Sequence, residues 1–265
     1  MPDRIAREIA WLLREKYDGI MTPTAALDIR RLERGDHLNY VIGWSPFLGC
    51  RIDLSARPLI PRPETEYWTE KAIQAIRYRE TRQPRILDIF CGSGCIGIAV
   101  LKHVPGARVD FADIEKSYFK GIRKSLRLNG IRAAQAGYFA SDGFQEIGAA
   151  KYDFILANPP YIPSGRRVAR SVLSQEPHRA LFAGPDGLRF IRTLLREGKR
   201  YVQPEGIMFI EFDPRQKPAI GAYARRQGWS GSFSRDQYGR WRFAAFQKER
   251  RRNRTASGKK QKSRP

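Results

Sequence analysis

Six residues, Tyr152-Asp153-Phe154-Ile155-Leu156-Ala157, run directly into Asn158-Pro159-Pro160-Tyr161, and this junction restricts the chain more than any other stretch. The short apolar run reads as a buried strand. Two prolines then forbid its continuation and remove two backbone donors. What remains is a rigid corner presenting acceptors, the Asn158 amide oxygen and the Pro159 carbonyl. The aromatic face of Tyr161 stands behind them, and Pro160 stiffens the turn.

Such a corner suits one chemical problem. The NH2 of an amide or of an aromatic amine has its lone pair tied up by conjugation and is a poor nucleophile. Two acceptors that grip both N–H bonds draw that nitrogen toward sp3 geometry and aim its lone pair at an electrophile. The Tyr161 ring stacks on the planar group. No general base is required before attack, because a methylated nitrogen loses its proton afterwards. The plain alternative is a proline turn after a strand. The tyrosine, the strand in front and a glycine loop upstream favour methyl transfer.

The chain alternates strand and helix from Pro84 onward. Arg85 to Ile89 makes a first strand, Cys91-Gly92-Ser93-Gly94-Cys95-Ile96-Gly97 a loop opening a helix, and Ala107 to Ala112 a second strand. Glu115 to Asn129 is helical with Gly130 ending it, and Ala136 to Ala140 is a third strand. The Tyr152 strand follows. A polar loop leads to a helix over 187–200, a strand from Gly206 to Phe212 and a helix near 215–226. Two final strands, about 230–234 and 241–246, pair as a hairpin. The expected fold is an α/β, Rossmann-like sandwich with a mixed sheet whose last strands are antiparallel.

Ahead of this core, Ile5, Ile9, Leu12 and Leu13 share one helical face, and Thr24 can cap a second helix carrying Leu27, Ile29 and Leu32. Tyr40 to Ile42, a turn over 43–49 and Cys50 to Leu54 suggest a β-hairpin linker. The expected divisions are a short helical piece (1–37), a hairpin linker (38–62), a catalytic domain (63–246) and a disordered basic tail (247–265). Pro63 suits a helix start. Arg62 and Thr65 are polar groups on a stiff segment able to face a ligand carboxylate, although spacing alone favours a proline-rich entry to a helix.

The net charge of +22 arises from 49 Lys and Arg against 27 Asp and Glu. Residues 247–265 hold nine basic side chains and one acid, so the body is basic in its own right. A field of this size favours polyanions such as ribosomal RNA, and serves equally for solubility or a host-wide compositional bias. Three cysteines, Cys50, Cys91 and Cys95, give no disulfide framework, and three scattered histidines give no metal site. No apolar run is long enough to span a bilayer and no secretory signal is visible, so a cytoplasmic protein is expected.

Gly92-Ser93-Gly94-Cys95-Ile96-Gly97 matches G-x-G-x-x-G, and Asp113 lies 19 residues beyond Gly94, near the spacing of a ribose-binding acid. A nicotinamide-dependent oxidoreductase is therefore the rival. The glycines let the backbone approach a ligand in either case. Asp88, just before the loop, would repel a pyrophosphate but suits the ammonium of a methionine moiety. Asp142 offers an acceptor to an adenine amino group. The dehydrogenase reading also lacks a proton-transfer residue near the strand ends. Asp88, the loop, Asp113, Asp142 and Asn158 all fall at carboxyl ends of successive strands, where open α/β sheets bind ligands, and S-adenosylmethionine fits this row better.

With these residues in view, the chain from about Tyr40 to Phe246 resembles the glutamine methyltransferases of translation release factors, the HemK family. The resemblance rests on Leu59-Ile60-Pro61-Arg62-Pro63-Glu64-Thr65-Glu66, on Ile86-Leu87-Asp88 with Gly92-Ser93-Gly94, and on Asn158-Pro159-Pro160-Tyr161-Ile162-Pro163. Glu176-Pro177-His178-Arg179-Ala180-Leu181, Gly184-Pro185-Asp186-Gly187-Leu188 and Ile210-Glu211-Phe212-Asp213-Pro214-Arg215-Gln216 add to it. Asn-Pro-Pro-Tyr alone is shared with adenine-N6 methyltransferases. The Pro-Arg-Pro-Glu-Thr-Glu segment is more specific.

The resemblance implies N5-methylation of the glutamine in the Gly-Gly-Gln loop of class I peptide chain release factors, by a monomer. Asn158 and the Pro159 carbonyl would hold the glutamine amide, with Pro160 and Tyr161 shaping its slot. Phe90, Cys91, Gly92, Ser93, Gly94, Asp113, Asp142 and Gly143 would bind S-adenosylmethionine, with Arg62 and Thr65 lining its methionine end. Phe90 stands where the family usually has its first loop glycine. Gly143 stands where an aromatic often flanks the adenine, and Phe144 is the expected substitute. The helical portion is short and the basic tail lies outside the family pattern. An adenine-N6 methyltransferase would use the same corner, yet no base-recognition domain is visible. A non-catalytic RNA-binding module would explain only the charge.

Overall fold

The computed structural model describes residues 2–249; the tail beyond them, including most of the stretch expected to be disordered, lies outside the described residues. Three helices open the chain: α1 (Pro2–Tyr17), α2 (Pro23–Glu33) and α3 (Leu38–Ile42). Leu12, Leu32, Val41 and Ile42 form their shared core, with Ile5, Ile9 and Ile29 packed against it. The cap of α2 is Thr22 rather than Thr24: Thr22 Oγ1 accepts the Ala25 N–H at 3.0 Å and Pro23 takes the first helical position. Tyr40 to Ile42 are helical rather than part of a hairpin, and the turn stops at Gly43, whose φ of 93° needs no Cβ. The hairpin itself is β1 (Trp44–Phe47) with β2 (Cys50–Asp53), Phe47 opposite Cys50.

The remaining α-helices and strands among the described residues are α4 (Pro63–Tyr78), β3 (Arg85–Ile89), α5 (Cys95–His103), β4 (Arg108–Asp113), α6 (Tyr118–Leu128), β5 (Ala136–Ala140), β6 (Tyr152–Ala157), α7 (Arg170–Gln175), α8 (Arg189–Glu197), β7 (Val202–Glu211), α9 (Lys217–Arg226), β8 (Trp229–Arg235) and β9 (Trp241–Lys248). One seven-stranded sheet runs β5-β4-β3-β6-β7-β9-β8. Its first five strands are parallel and β9 pairs antiparallel with both β7 and β8. The expected mixed sheet with an antiparallel end is the one observed.

Alternate residues of each strand serve opposite layers. Ile86, Phe154, Leu156, Val109 and Phe111 point into the core shared with α4, α5 and α6. Leu87, Ile89, Ile155, Met208 and Ile210 point into the core shared with α8 and α9. Burial on both faces explains why these strands are apolar runs rather than half-polar alternations. Helix α5 is apolar nearly all round, with Cys95 through Leu101 buried. Gly97 is required there: a Cβ would sit 2.4 Å from the Phe111 ring.

Register decides which residues meet at the carboxyl edge. Ile89 pairs with Ala112 on one side and Ala157 on the other, and Ala157 pairs with Ile210. Phe90, Asp113, Asn158 and Glu211 therefore stand along one rim. Strand β7 starts at Val202, ahead of the expected Gly206, and ends at Glu211, one residue short of Phe212. The stretch expected as a polar loop contains α7. Among the described residues no helix is long and apolar enough to cross a membrane.

Candidate active site

Phe90, Gly92 and Gly94 have φ of 59°, 50° and 72°, so the loop after β3 turns through three left-handed residues. A non-glycine residue in that region costs about 1–2 kcal/mol, and Phe90 carries it. Its ring packs edge-on against Phe190, with centroids 5.3 Å apart. The position where the family pattern expects glycine thus keeps a glycine-like backbone. A Cβ on Gly94 would lie 2.8 Å from Ile122, so this glycine serves the approach of α6 and does not face the cavity.

Two acids hold the loop. The Gly92 N–H donates to Asp113 Oδ2 at 2.8 Å, and the Glu115 N–H donates to Asp113 Oδ1 at 2.9 Å. The Gly97 N–H donates to Asp88 Oδ2 at 2.9 Å. Asp88 is fully buried, and its second oxygen, Oδ1, has no hydrogen-bond partner. Burial pushes the Asp88 carboxyl well above its usual range, with the Gly97 N–H opposing. Asp113 is raised for the same reason, against the pull of its backbone donors. Burial also pushes the Cys91 and Cys95 thiols up, which removes thiolate chemistry from the loop.

At the corner after β6, the Asn158 Nδ2 donates to Thr65 Oγ1 at 3.1 Å. Thr65 in turn donates to Glu211 Oε2 at 2.7 Å. The Trp68 indole N–H reaches the same oxygen at 2.6 Å, and the Tyr161 hydroxyl donates to Glu211 Oε1 at 3.1 Å. Burial raises the Glu211 carboxyl, while these donors and the nearby Arg242 oppose the rise. The turn is braced from behind: Gln216 Nε2 donates to the Tyr161 carbonyl at 2.9 Å and to the Asp186 carbonyl at 3.1 Å.

A cavity of about 600 Å³ opens at this rim. Of the sequence-predicted residues, Arg62, Thr65, Phe90, Cys91, Gly92 and Ser93 line it, together with Asp113, Asp142, Asn158 and Pro160. Asp88, Gly94, Pro159 and Tyr161 are not among its lining residues. Gly143 faces a second cavity of about 270 Å³ that shares Phe90, Asp142, Arg189 and Phe190 with the first.

Three expectations are corrected. Phe144 does not flank the cavity: it is buried and stacks on Tyr201 at 4.4 Å with rings nearly parallel. Phe90 and Phe190 supply the aromatic wall beside Asp142 instead. Thr65 has no hydroxyl hydrogen left for a ligand carboxylate, because its one proton is committed to Glu211. Tyr161 turns its hydroxyl to Glu211, and its ring packs with the core below β6 rather than on the cavity wall. Arg62 lines the cavity but is already paired, with Nη2 2.7 and 2.5 Å from the two oxygens of buried Glu176.

Glu211 and the stretch 176–182 were not among the predicted site residues. Glu211 carried the same signal as Asp88 and Asp113, an acid at the carboxyl end of a buried strand. Pro177, Arg179, Ala180 and Phe182 line the cavity. Their neighbour Gln175 is bonded to the His37 N–H and the Gly35 carbonyl of the N-terminal helices. This anchoring is a tertiary event with no local sequence pattern.

The wall chemistry fits a cationic, hydroxyl- and amine-bearing cofactor such as S-adenosylmethionine. Asp113 and Asp142 line the space, buried Asp88 in the strand leading into the loop keeps an oxygen without a hydrogen-bond partner, and a Cβ on Gly92 would meet no atom within 4 Å.

Comparison with known proteins agrees with this chemistry. Residues 71–180 match the family described as Methyltransferase small domain. A 4-amino-L-phenylalanine/4-methylamino-L-phenylalanine methyltransferase of Streptomyces pristinaespiralis is 35% identical over 78% of this chain and 71% of its own. A release factor glutamine methyltransferase of Deinococcus radiodurans is 32% identical over 78% of this chain and 72% of its own. Among solved structures, a ribosomal protein L11 methylase from Lactobacillus delbrueckii subsp. bulgaricus superposes with a TM-score of 0.56, at 17% identity, over 78% of this chain and 91% of that one. That likeness concerns the fold.

Proposed function

We propose, from the premise that this chain belongs to the release factor glutamine methyltransferase family, that it methylates the N5 nitrogen of the glutamine in the Gly-Gly-Gln loop of class I peptide chain release factors. The chain is a S-adenosylmethionine-dependent methyltransferase. One observation carries the substrate reading. Asn158 lines the cavity with its amide nitrogen turned back to Thr65, so its oxygen is the atom free to accept a substrate N–H.

S-adenosylmethionine, when bound, supplies a methyl group on a positively charged sulfur. Asp113 would hold its ribose and Asp142 its adenine side, beside Phe90 and Phe190. The loop from Phe90 to Ser93 and Arg62 would line the methionine end, with Asp88 buried in the strand that leads into this loop. On the acceptor side, Asn158 Oδ1 takes one N–H of the glutamine amide, and the carbonyl of Pro159, whose side chain is buried and does not line the cavity, is assigned the other. Gripping both bonds turns the nitrogen lone pair out of conjugation and fixes its direction, so positioning supplies most of the acceleration. Pro160 and Tyr161 keep the acceptors in place, and the surplus proton leaves after transfer.

The division of labour we assign places catalysis in residues 63–246 and substrate docking in the helices before the hairpin, in a monomer acting in the cytoplasm. The net charge of +22 supports contact of the basic surface with ribosomal RNA. A second reading has its own support: the 35% identity to a methyltransferase named for an aromatic amine. The same two acceptors suit that NH2 group.

The test offers labelled S-adenosylmethionine with three separate acceptors: a purified class I release factor, 4-amino-L-phenylalanine, and adenine-containing DNA or RNA. Label on the release factor alone is expected. Label on the small amine alone would transfer the assignment to the second reading. Label on nucleic acid alone would place the chain's activity with adenine-N6 methyltransferases.

A further inference from the structure

Asn158 can work as an acceptor only if its amide faces one way. Its oxygen and nitrogen are nearly equal in size, so shape alone does not choose between the two orientations. Donor and acceptor chemistry around Thr65 does choose.

Thr65 is 2% exposed, and its hydroxyl has one hydrogen and two lone pairs. Two groups contend for it, Glu211 Oε2 at 2.7 Å and the Asn158 amide at 3.1 Å. A carboxylate oxygen cannot donate, so the hydroxyl hydrogen goes to Glu211. Thr65 then meets Asn158 only with lone pairs, and the Asn158 amide must turn its NH2 inward. Its oxygen is left toward the cavity. Trp68 strengthens the arrangement. Its indole N–H is a donor and nothing else, lies 2.6 Å from the same Glu211 oxygen, and is fully buried. Whatever occupies position 211 must keep an acceptor there. The other carboxylate oxygen holds the Tyr161 hydroxyl, so one side chain on β7 fixes both ends of the corner.

We propose that Trp68, Glu211 and Thr65 form a polarity lock that sets the Asn158 amide in its acceptor orientation, which makes Thr65 and Glu211 positioning residues for methyl transfer. The lock rests on the amide-methylation reading above for its consequence, but its geometry stands without it. It also gives Thr65, in the first turn of α4, a task in the acceptor half of the site.

Three variants separate polarity from packing and from charge. Thr65→Val keeps the shape and removes the hydroxyl. Losing one buried hydrogen bond of this kind lowers kcat about tenfold, with S-adenosylmethionine affinity changed less than about threefold by the same scale. Thr65→Ser restores the hydroxyl and returns kcat to within about threefold of the parent. Glu211→Gln removes the charge, yet Trp68 draws the Gln oxygen into the Oε2 place while the Gln nitrogen donates to Tyr161, whose hydroxyl can turn. Thr65 polarity survives, and kcat stays closer to the parent than in Thr65→Val. Thermal melts confirm that each variant is folded.

The lock is overturned if Thr65→Val keeps the parent kcat within about twofold, a difference too small for a buried hydrogen bond. It is overturned equally if Thr65→Ser is no better than Thr65→Val, or if Glu211→Gln is as damaging as Thr65→Val. A readout independent of turnover separates this from failure of the substrate reading. The side-chain NH2 resonances of Asn158, followed by nitrogen-15 NMR, show one slowly exchanging proton in the parent and Thr65→Ser and lose it in Thr65→Val. No difference between parent and Thr65→Val refutes the lock even if the parent methylates none of the acceptors offered.

Discussion

At the glycine loop, the Asp88 and Asp113 carboxylates are gripped by backbone N–H groups no more than 21 residues away. At the Asn158 corner, the Glu211 carboxylate gathers side chains from positions 65, 68 and 161, up to 146 residues distant. The first arrangement uses backbone N–H groups, which every residue but proline carries, so its hydrogen bonds do not depend on side-chain chemistry even where packing against Phe111 requires glycine at position 97. Phe90 illustrates this: it occupies a left-handed position in the loop without disturbing the bonds from Gly92 or Gly97. The second arrangement depends on residue type at every step, since it needs a donor-only indole, a hydroxyl and a side-chain acceptor at position 211 together. Cofactor binding and acceptor alignment are therefore held by separable parts of one rim.

The most damaging break falls on the acceptor half. Asn158→Ala deletes the atom that takes the substrate N–H, and kcat is expected to fall about 10²–10³-fold. Calorimetry should find S-adenosylmethionine affinity much less affected. An equal loss in both quantities would contradict the separation.

Asp113→Ala reverses the pattern. It removes a carboxylate acceptor from the cavity wall and the anchor of the Gly92 N–H, so cofactor Kd is expected to rise about 10–100-fold. Turnover at saturating S-adenosylmethionine should fall far less, which steady-state kinetics at several cofactor concentrations would reveal.

The smallest effect concerns stability. Burial raises the folded-state pKa of Asp88 and Asp113, so the folded chain binds these protons more tightly than the unfolded one. Their contribution to stability is complete below the ordinary carboxylate range and is lost as pH rises through the raised values. Asp88→Asn removes the larger part of that dependence. In the absence of cofactor its melting temperature at pH 7 should exceed the parent's by about 2–4 °C, the equivalent of about 1 kcal/mol, with a flatter profile between mildly acidic and neutral pH. Cofactor affinity should drop at the same time. A variant less stable than the parent at pH 7 would show that Asp88 is not a net cost to the fold.

The sequence already disclosed the parts whose signal is local. The strands that carry Asp88, Asp113 and Asn158 at or next to their ends are short and mostly apolar, and the loop and the corner are punctuated by glycine and proline. What stayed hidden depends on register and distant packing. Glu211 meets Thr65 only because Ala157 pairs with Ile210. The cavity wall from Pro177 to Phe182 is placed by contacts that Gln175 and Glu176 make with Gly35, His37 and Arg62. Local preference misled at three points. Pro23 moved the α2 cap from Thr24 to Thr22. Tyr40 to Ile42 are β-formers held in a helical turn by packing, with Val41 and Ile42 in the N-terminal core. Phe144 found a better partner in Tyr201 than in the cavity.

The most direct test of the account is the position of the transferred methyl. A class I release factor incubated with this protein and S-adenosylmethionine, then digested and fragmented by tandem mass spectrometry, should carry one added CH2 on the side-chain nitrogen of the Gly-Gly-Gln glutamine, and Asn158→Ala should abolish it. A methyl group on another residue or on a backbone atom, or an unchanged yield with Asn158→Ala, would contradict the assignment of this corner as an amide-aligning acceptor pair.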